Sequence, residues 1–510
     1  MSPRENGERG TAIGALAGKS VHIVGASGAE GTALLLYLSE ELKITGLVAH
    51  DFSGDFRAFS RSFRKANLAW DKRTREDVLR RLRRLPVEFR LGAQYLSGLD
   101  EADVVLASQN WFNYPSNLPA IPNAIAAGSQ LLGLVDLALD LFEGTRIGVT
   151  GSNGKSTTSA LISHLLGVGL PEGRNFLQGG NDRERQVALA DLRASTSADI
   201  LLWEVSNRHL RDRSVAVDVA VVTNITRNHI EDHGSWEAYI AAKLRLPRGA
   251  LGSGGHAILC SSDPVIEDHL PSLRALGGTL WTVGDDDSGL LEEGAAWADQ
   301  QGRLRVRLPG ETDVLDLGLR ADLPLAGDHN VLNLLVALCT ALASGVPADR
   351  LQGAAASFGG LSGRLEEVAD HRGVRWVYDI QATTAPAAEA GILALAPSTK
   401  QLILMVGGED KGMDYSGMAN AAAGASASVI TLPGSGTEAF LSALAGRCKV
   451  HQNEDLDGMI ETAAAIANPG AVVLLSPGCA FFHREFIEPG ASYRRRVQDF
   501  LETLPTECES

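Results

Sequence analysis

The sequence predicts an α/β protein of three domains. Apolar strand-like runs alternate with helical patterns along nearly the whole length. Two of those strands run directly into a glycine turn and a helix, at 20–42 and again at 148–166. In the last third, each strand ends in a polar or glycine turn, as at the binding edge of an open parallel sheet. At 510 residues the chain is too long for one ordinary core. The divisions fall at 1–18 (a flexible tail), 19–140, 141–358 and 359–510, with hinges expected near Asp140 and Gly359.

Composition narrows the function classes. An apolar share of 45% and a charged share of 21% are those of a globular protein. No apolar run reaches the roughly 18 residues of a membrane span, and no apolar leader precedes the first strand, so no membrane partner is expected. The net charge of −16 argues against nucleic acid as a partner. One stretch runs against it, "RSFRKANLAWDKRTREDVLRRLRRLPVEFR", either a solvated helix face or a means of docking an anionic substrate. Cys260, Cys339, Cys448, Cys479 and Cys508 are scattered without metal-ligand spacing, which fits a reducing cytoplasm.

The first domain opens with "SVHIVGASGAEGTALLLYLSEEL". Gly25, Gly28 and Gly31 allow the turn to approach a ligand, and the helix start favours an anion; close helix–strand packing explains the same glycines. The next strand, "ITGLVAHD", ends in Asp51, an acid placed to meet a ribose or base. "DVVLAS" reads as a strand ending at Ser108, and "NAIAAGSQLLGLVDLAL" as helix then strand.

The second domain begins at "TRIGVTGSNGKSTT". Gly154, Lys155 and Ser156 fit the end of the phosphate-loop pattern GxxxxGK[ST], although Val149 stands where its first glycine belongs. Gly151, Ser152, Asn153 and Gly154 form a turn whose N–H groups can cradle phosphate. Lys155 can neutralise its oxygens, and Ser156 or Thr157 can reach Mg²⁺. Glu204 ends the strand of "LLWEVSNRHL" and reads as a Mg²⁺ ligand, or as a solvated acid at a strand end. "NITRNHIEDHGSWEAYIAAKLRL" supplies His229 and His233, structural or metal-binding, and Lys243, on a helix where a lysine is ordinarily exposed. "GDHNVLNLLVALCTALASGV" reads as a long helix that Asp328 could cap. The third domain starts near "GGLSGRLEEV", with strands "VRWVYDI", "QLILMVGG", "SVITLPG" and "AVVLLSPG".

These stretches, taken in order, resemble the Mur ligases, ATP-dependent enzymes that add amino acids to the peptidoglycan precursor. "TGSNGKST" is similar to the family's TGTNGKST, and Glu204, "NHIEDHGSWEAYIAAK" and "GDHNVLN" follow in the family's order. "GLSGRLEEV" and "YDIQATT" resemble the GLPHRLE and DSKATN elements of the D-glutamate-adding branch. "GGEDKGMDY" and "LLSPGCAFFHREFIEPG" resemble its GGxDKGxDF and LLSPACASFDQFxxFxxRG. The likeness runs from Ser20 to Phe500 and is weakest in the first domain.

The resemblance implies a Rossmann-like N-terminal domain that holds a UDP-sugar-peptide, a central phosphate-loop ATPase domain and a Rossmann-like C-terminal domain that holds an amino acid. It implies ATP and Mg²⁺ as cofactors, with two metal ions, and a monomer. Lys155, Ser156 and Thr157 would hold ATP and Mg²⁺; Glu204 and His229 would bind metal. Lys243 matches a lysine that carries a carbamate in several members. Asn330 and Arg364 would approach the nucleotide, and Asp379 its ribose. Asn181 matches a GGN stretch near the substrate, and Asp51 and Ser108 the region that meets the uridine. The implied reaction joins glutamate to UDP-N-acetylmuramoyl-L-alanine through an acyl phosphate.

Both substrate ends depart from the pattern. The lysine of DSKATN and the serine of PACAS are Gln381 and Phe481 here, whereas Thr383 and, through a gap, Phe486 remain. Arg484, Arg494, Arg495 or Arg496 could supply the missing charge. The family's ELSSFQL is "EVSNRHL", with Asn207, Arg208 and His209, and "SQNWFN" sets Trp111 and Phe112 beside the expected uridine site, as ligand contacts or as simple packing. A ligase using L-glutamate or another amino acid, or serving another pathway, is the alternative; a non-ligating ATP-binding paralogue is the third reading.

Overall fold

A computed structural model of the chain describes residues 11–14, 16–67, 70, 72–180, 189–211, 213, 215–227, 230–285, 287, 290–323, 325, 327–361, 363–410, 412–479 and 489–503. They form three sheets. The first holds β1 (Val21–Val24), β2 (Leu47–Asp51), β3 (Glu88–Leu91), β4 (Val104–Ala107) and β5 (Gln130–Leu132), all parallel in the order β3-β2-β1-β4-β5. This is the doubly wound order, which reverses between β1 and β4 and opens a crevice beyond their carboxyl ends. Each residue of β1, β2 and β4 is buried, as strands covered on both faces require. The stretch after "GSQ" departs from expectation: only Gln130–Leu132 pair as a strand, and Leu134–Leu141 form a helix.

The second sheet holds β6 (Thr145–Thr150), β7 (Phe176–Gly179), β8 (Ile200–Glu204), β9 (Val219–Val222), β10 (His256–Cys260), β11 (Thr279–Val283), β12 (Gly294–Ala298), β13 (Arg303–Arg307) and β14 (Val314–Leu319), in the order β14-β13-β12-β11-β10-β9-β6-β8-β7. It is parallel from β7 to β12 and antiparallel beyond, through β13 and β14. The third holds β15 (Glu366–His371), β16 (Val374–Tyr378), β17 (Gln401–Val406), β18 (Ser428–Thr431), β19 (Lys449–Gln452) and β20 (Ala471–Leu475), in the order β15-β16-β20-β17-β18-β19, with β15 alone antiparallel to its neighbour.

The chain divides into two compact units, Met1–Arg320 with Leu332–Ala355, and Ala321–Val331 with Ala356–Ser510. Within the first, one apolar cluster runs from Ile23, Phe59 and Phe63 on the first sheet's side to Leu201, Trp203 and Leu246 on the second's. That continuous core fixes the two sheets' relative position. Residues expected to be a flexible tail join it: Ile13 N donates to Asp140 Oδ2 at 2.9 Å, and Leu16 is fully buried. The second unit's core lies on both faces of the third sheet. Among the described residues no helix is long and apolar enough to cross a membrane.

Candidate active site

The first glycine turn closes over the end of β1. Gly25 takes φ +82°, a left-handed conformation that suits glycine, and a Cβ on Gly31 would lie 2.3 Å from Gly25 O. Gly31 thus serves close helix–turn packing, while Gly25, Gly28 and Gly31 all also line one cavity of about 1170 Å³. Asp51, fully buried at the end of β2, braces the turn: its carboxylate accepts from Ser27 N at 2.8 Å and Ser53 N at 3.0 Å. Ser108, just past β4, lines the same cavity. Trp111 and Phe112 are buried in an apolar cluster, so packing is the main reason for both rings, although Trp111 also reaches the cavity. At its rim the exposed rings of Phe52 and Tyr114 stack, with centroids 6.1 Å apart.

The other end of the cavity is the second glycine turn. Gly151 (φ +154°) passes so near β9 that a Cβ would lie 1.9 Å from Thr223 Oγ1. Asn153 N donates to Asn224 Oδ1 at 2.8 Å, and Ser152 Oγ meets Thr226 O at 2.9 Å and Tyr239 Oη at 2.8 Å. Gly154 takes φ +79° and opens the helix Lys155–Gly169, whose first N–H groups have no intrahelical partner and favour an anion. Lys155 Nζ donates to Gly151 O at 2.8 Å and Ser152 O at 3.1 Å, folded onto its own loop. Thr157 is buried in the helix's first turn.

Glu204 ends β8, next to β6 and opposite Val149, which sets it beside this turn. Ser156 Oγ donates to Glu204 Oε2 at 3.0 Å. The pair offers hard oxygen ligands of the kind Mg²⁺ takes one or two at a time while keeping waters, so these residues fit that ion. Among the described residues no group of three His, Cys, Asp or Glu is placed to hold a metal. His229 lies outside the described residues, as do Asn181, Phe481 and Phe486. His233 is described: its Nε2 meets Asn207 Nδ2 at 3.1 Å and its ring stands edge-on to Tyr239.

Lys243 is not the exposed lysine its helix position suggests. It lies on the helix Trp236–Gly252, is 1% exposed, and holds Nζ 4.9 Å from the Tyr239 ring centre. Burial, and then the charge of Lys155, hold its pKa well below the usual lysine value. Through Tyr239 Oη and Ser152 it abuts the phosphate loop.

Several further groups line the cavity, some of them bonded across segments. Ser206 hydrogen-bonds Gln109, joining the loop after β8 to the loop after β4. Arg208 spans the same gap, donating to Asn110 Oδ1 at 2.6 Å and Asp232 Oδ2 at 2.8 Å. His209 Nδ1 accepts from Ser206 N at 3.1 Å, and burial lowers its pKa to about 3. Burial also pushes the Glu30 carboxyl up to about 7, against the pull of Arg213 and Gln109.

The remaining candidates belong to the second unit. Asp379 follows β16, accepts from Ser476 Oγ at 2.8 Å and Leu365 N at 3.3 Å, and is pushed up to about 7 by burial, against Ser476, Leu365 and Arg364. Arg364 is half-buried and Asn330 buried. Gln381 is exposed, its N–H bonded to Gly363 O; Thr383 N donates to Gln381 O.

Residues 149–341 match the Mur ligase middle domain, and 363–479 the Mur ligase glutamate ligase domain. A UDP-N-acetylmuramoylalanine--D-glutamate ligase of Acidobacterium capsulatum is 32% identical over 392 residues, covering 76% of this chain and 80% of that one. One of Pelotomaculum thermopropionicum is 32% identical over 419 residues, covering 81% and 87%. The chain belongs to the Mur ligase family. It is therefore an ATP-dependent ligase.

Solved Mur ligases share the fold. The UDP-N-acetylmuramate-alanine ligase of Thermotoga maritima superposes with a TM-score of 0.54 at 15% identity, covering 95% of this chain and all of that one. The MurF ligase of the same organism, in complex with ADP, gives 0.50 at 20% identity over 78% and 94%. In this Mur ligase Lys155, Ser156, Glu204 and Lys243 gather at one turn, and Asp51 and Ser108 stand at the opposite glycine turn of a shared cavity.

Proposed function

We propose that this Mur ligase joins glutamate to the carboxylate of UDP-N-acetylmuramoyl-L-alanine, a step of peptidoglycan precursor synthesis. The observation that carries the reading is the single cavity lined by both glycine turns. One end suits a nucleoside diphosphate and the other the phosphates of ATP, which brings an acceptor carboxylate and a transferable phosphoryl group into one enclosure.

A carboxylate is a poor acyl donor. Its oxygen attacks the γ-phosphorus and ADP leaves. The amine of the incoming amino acid then attacks the acyl carbon; phosphate leaves, the nitrogen loses a proton and an amide remains. Lys155 and the helix start spread the charge of the transferring group. Ser156 and Glu204 would hold Mg²⁺, with His229 as a ligand of a second ion. Bound there, the metal supplies Lewis-acid neutralisation of phosphate oxygens. The depressed pKa of Lys243 favours the neutral amine that takes up CO₂, and the resulting carbamate places an anion beside Lys155. Asn330, Arg364 and Asp379 are assigned to the nucleotide, and Asn181, Gln381, Thr383, Phe481 and Phe486 to the substrates. We assign 19–140, 141–358 and 359–510 as the domains that carry these roles.

Gln381 favours a second reading. An exposed neutral amide grips a side-chain carboxylate less than a lysine does, which fits L-glutamate, another amino acid or another pathway. One experiment tests both: phosphate release with ATP, Mg²⁺ and UDP-N-acetylmuramoyl-L-alanine, each amino acid added singly. Release with D-glutamate alone supports the first reading. Release with another amino acid selects the second, and no release with any removes this nucleotide sugar as the acceptor.

A further inference from the structure

The helices Phe56–Ala66 and Lys72–Leu82 carry a charge opposite to that of the rest of the protein. Between Phe56 and Arg84 there are eleven Lys and Arg against three Asp and Glu, in a chain whose net charge is −16. Apolar packing orients them: Phe59, Phe63, Val78, Leu79 and Leu82 are buried, which turns the basic side chains outward. Acidic neighbours offset only part of the charge, through Arg64–Glu76, Arg80–Asp77 and Arg81–Glu40. Arg57, Arg61, Lys72, Arg73 and Arg84 are exposed and make no ion pair among the described residues.

This face reaches the cavity. Lys65 and Arg81 belong at once to the basic helices and to the cavity lining. The lining itself holds four Lys and Arg and four Asp and Glu, so its side chains add little formal charge to draw an anion from a distance. A diphosphate that also bears a carboxylate would be repelled by the protein's net charge at long range, where the short-range donors inside the cavity do not reach. A long-range field that draws it in comes best from a basic face beside the cavity.

We propose that the exposed basic face of these two helices steers the anionic nucleotide substrate into the cavity, raising its rate of capture through residues such as Arg61, Arg73 and Arg84 that do not line it. The inference rests on the substrate reading above. It names a part of the protein that lies outside the reacting groups. Electrostatic guidance of this kind raises association rates by roughly 10-fold to 1000-fold, and screening removes it once the Debye length falls to a few ångströms. Charges at the rim act on association and its salt dependence rather than on dissociation.

The test is stopped-flow binding of UDP-N-acetylmuramoyl-L-alanine to the full chain, read by tryptophan fluorescence, since Trp70 and Trp111 line the cavity. Wild type is compared with the triple variant Arg61→Glu, Arg73→Glu, Arg84→Glu, none of which lines the cavity. At low salt the association rate of the variant is expected to fall roughly 10-fold with dissociation unchanged, and the two proteins to converge near 1 M salt. The triple Gln variant should fall between them, and stands in if the Glu variant does not fold. Equal association rates, or a change confined to dissociation, overturn the proposal. So does an unchanged association rate with lost flotation on vesicles of anionic phospholipid, which would assign the face to a lipid surface. If wild type binds neither this substrate nor UDP, the substrate reading itself falls, and this inference with it.

Discussion

Lys243 Nζ lies 4.9 Å from the centre of the Tyr239 ring, one helical turn away, in a site where the lysine is almost wholly buried. Burying a lysine amine against an aromatic face is costly to the fold, and its depressed pKa reflects that cost. Lys243→Met, similar in length and apolar, is expected to raise the melting temperature while reducing ligation at least ~100-fold. Bicarbonate should not restore the variant, and a short-chain carboxylic acid should restore part of it. Wild type in ¹³C-bicarbonate should show a carbamate resonance that the variant lacks. An active Lys243→Met enzyme would remove Lys243 from the mechanism.

Glu204 and Ser156 make a prediction of a different kind. Glu204→Gln keeps an oxygen to accept the Ser156 bond of 3.0 Å but loses the negative charge. Folding should survive, with a melting temperature close to wild type. Turnover should fall roughly 100-fold, and half-saturation should need more Mg²⁺. Phosphate release measured across a Mg²⁺ series gives both numbers. A titration curve that superposes on wild type would mean that Glu204 does not hold the metal.

The parts of this site that the sequence reveals are those built from consecutive residues. The turn from Gly151 to Ser156 is legible because strand, glycines, lysine and helix follow one another; at Gly25–Gly31 strand, glycines and helix do the same, without a lysine. Glu204 is legible as an acid that ends an apolar strand. The burial of Lys243 is not, since it depends on what its helix packs against, and only Tyr239 four residues earlier hints at a shared face. The Ser206–Gln109 and Arg208–Asn110 bridges join residues about a hundred positions apart, a separation no local pattern encodes. In the fold, the apolar runs mark the buried parallel strands. β13 is missed because Arg303, Arg305 and Arg307 mask its alternation with the buried Leu304 and Val306. The Glu88–Leu91 edge strand is missed because it follows a run of arginines and is partly exposed.

Gly151 tests how tightly the phosphate loop is seated. A Cβ there would lie 1.9 Å from Thr223 Oγ1, which donates to Asn153 O at 2.6 Å and so holds the loop itself. Gly151→Ala should cost about 2 kcal/mol or more by overpacking, together with most of the activity, because the loop must shift to relieve it. Thr223→Ala removes the nearest atom but leaves the Thr223 Cβ position at 3.1 Å. The double variant should regain part of the lost stability in a denaturant titration. Simple additivity of the two substitutions would show that the contact is not what limits the loop.

His22 and His50 give the N-terminal sheet an acid limit. His50 Nδ1 donates to Tyr95 O, so its Nε2 accepts from His22 Nδ1 at 3.0 Å, and both rings are neutral and buried. Burial, the neighbouring ring and Arg90 lower His22 to about 4, with Glu88 opposing; burial also lowers His50. In the unfolded chain His22 titrates near 6.5, so between about pH 4 and 6.5 the unfolded state binds more protons. Stability contributed by this group is therefore complete above about pH 6.5 and lost as the pH falls toward 4. Glu30, raised from 4.5 to about 7, acts in the opposite sense: its contribution is present below about 4.5 and lost as the pH rises through 7. Comparison with a variant isolates the histidine. His22→Asn should flatten the rise of melting temperature between pH 4.5 and 6.5, by the equivalent of about one proton, and leave the profile above pH 7 parallel to wild type. Parallel profiles throughout would show that His22 titrates alike in the folded and unfolded states, so that burial does not lower its pKa.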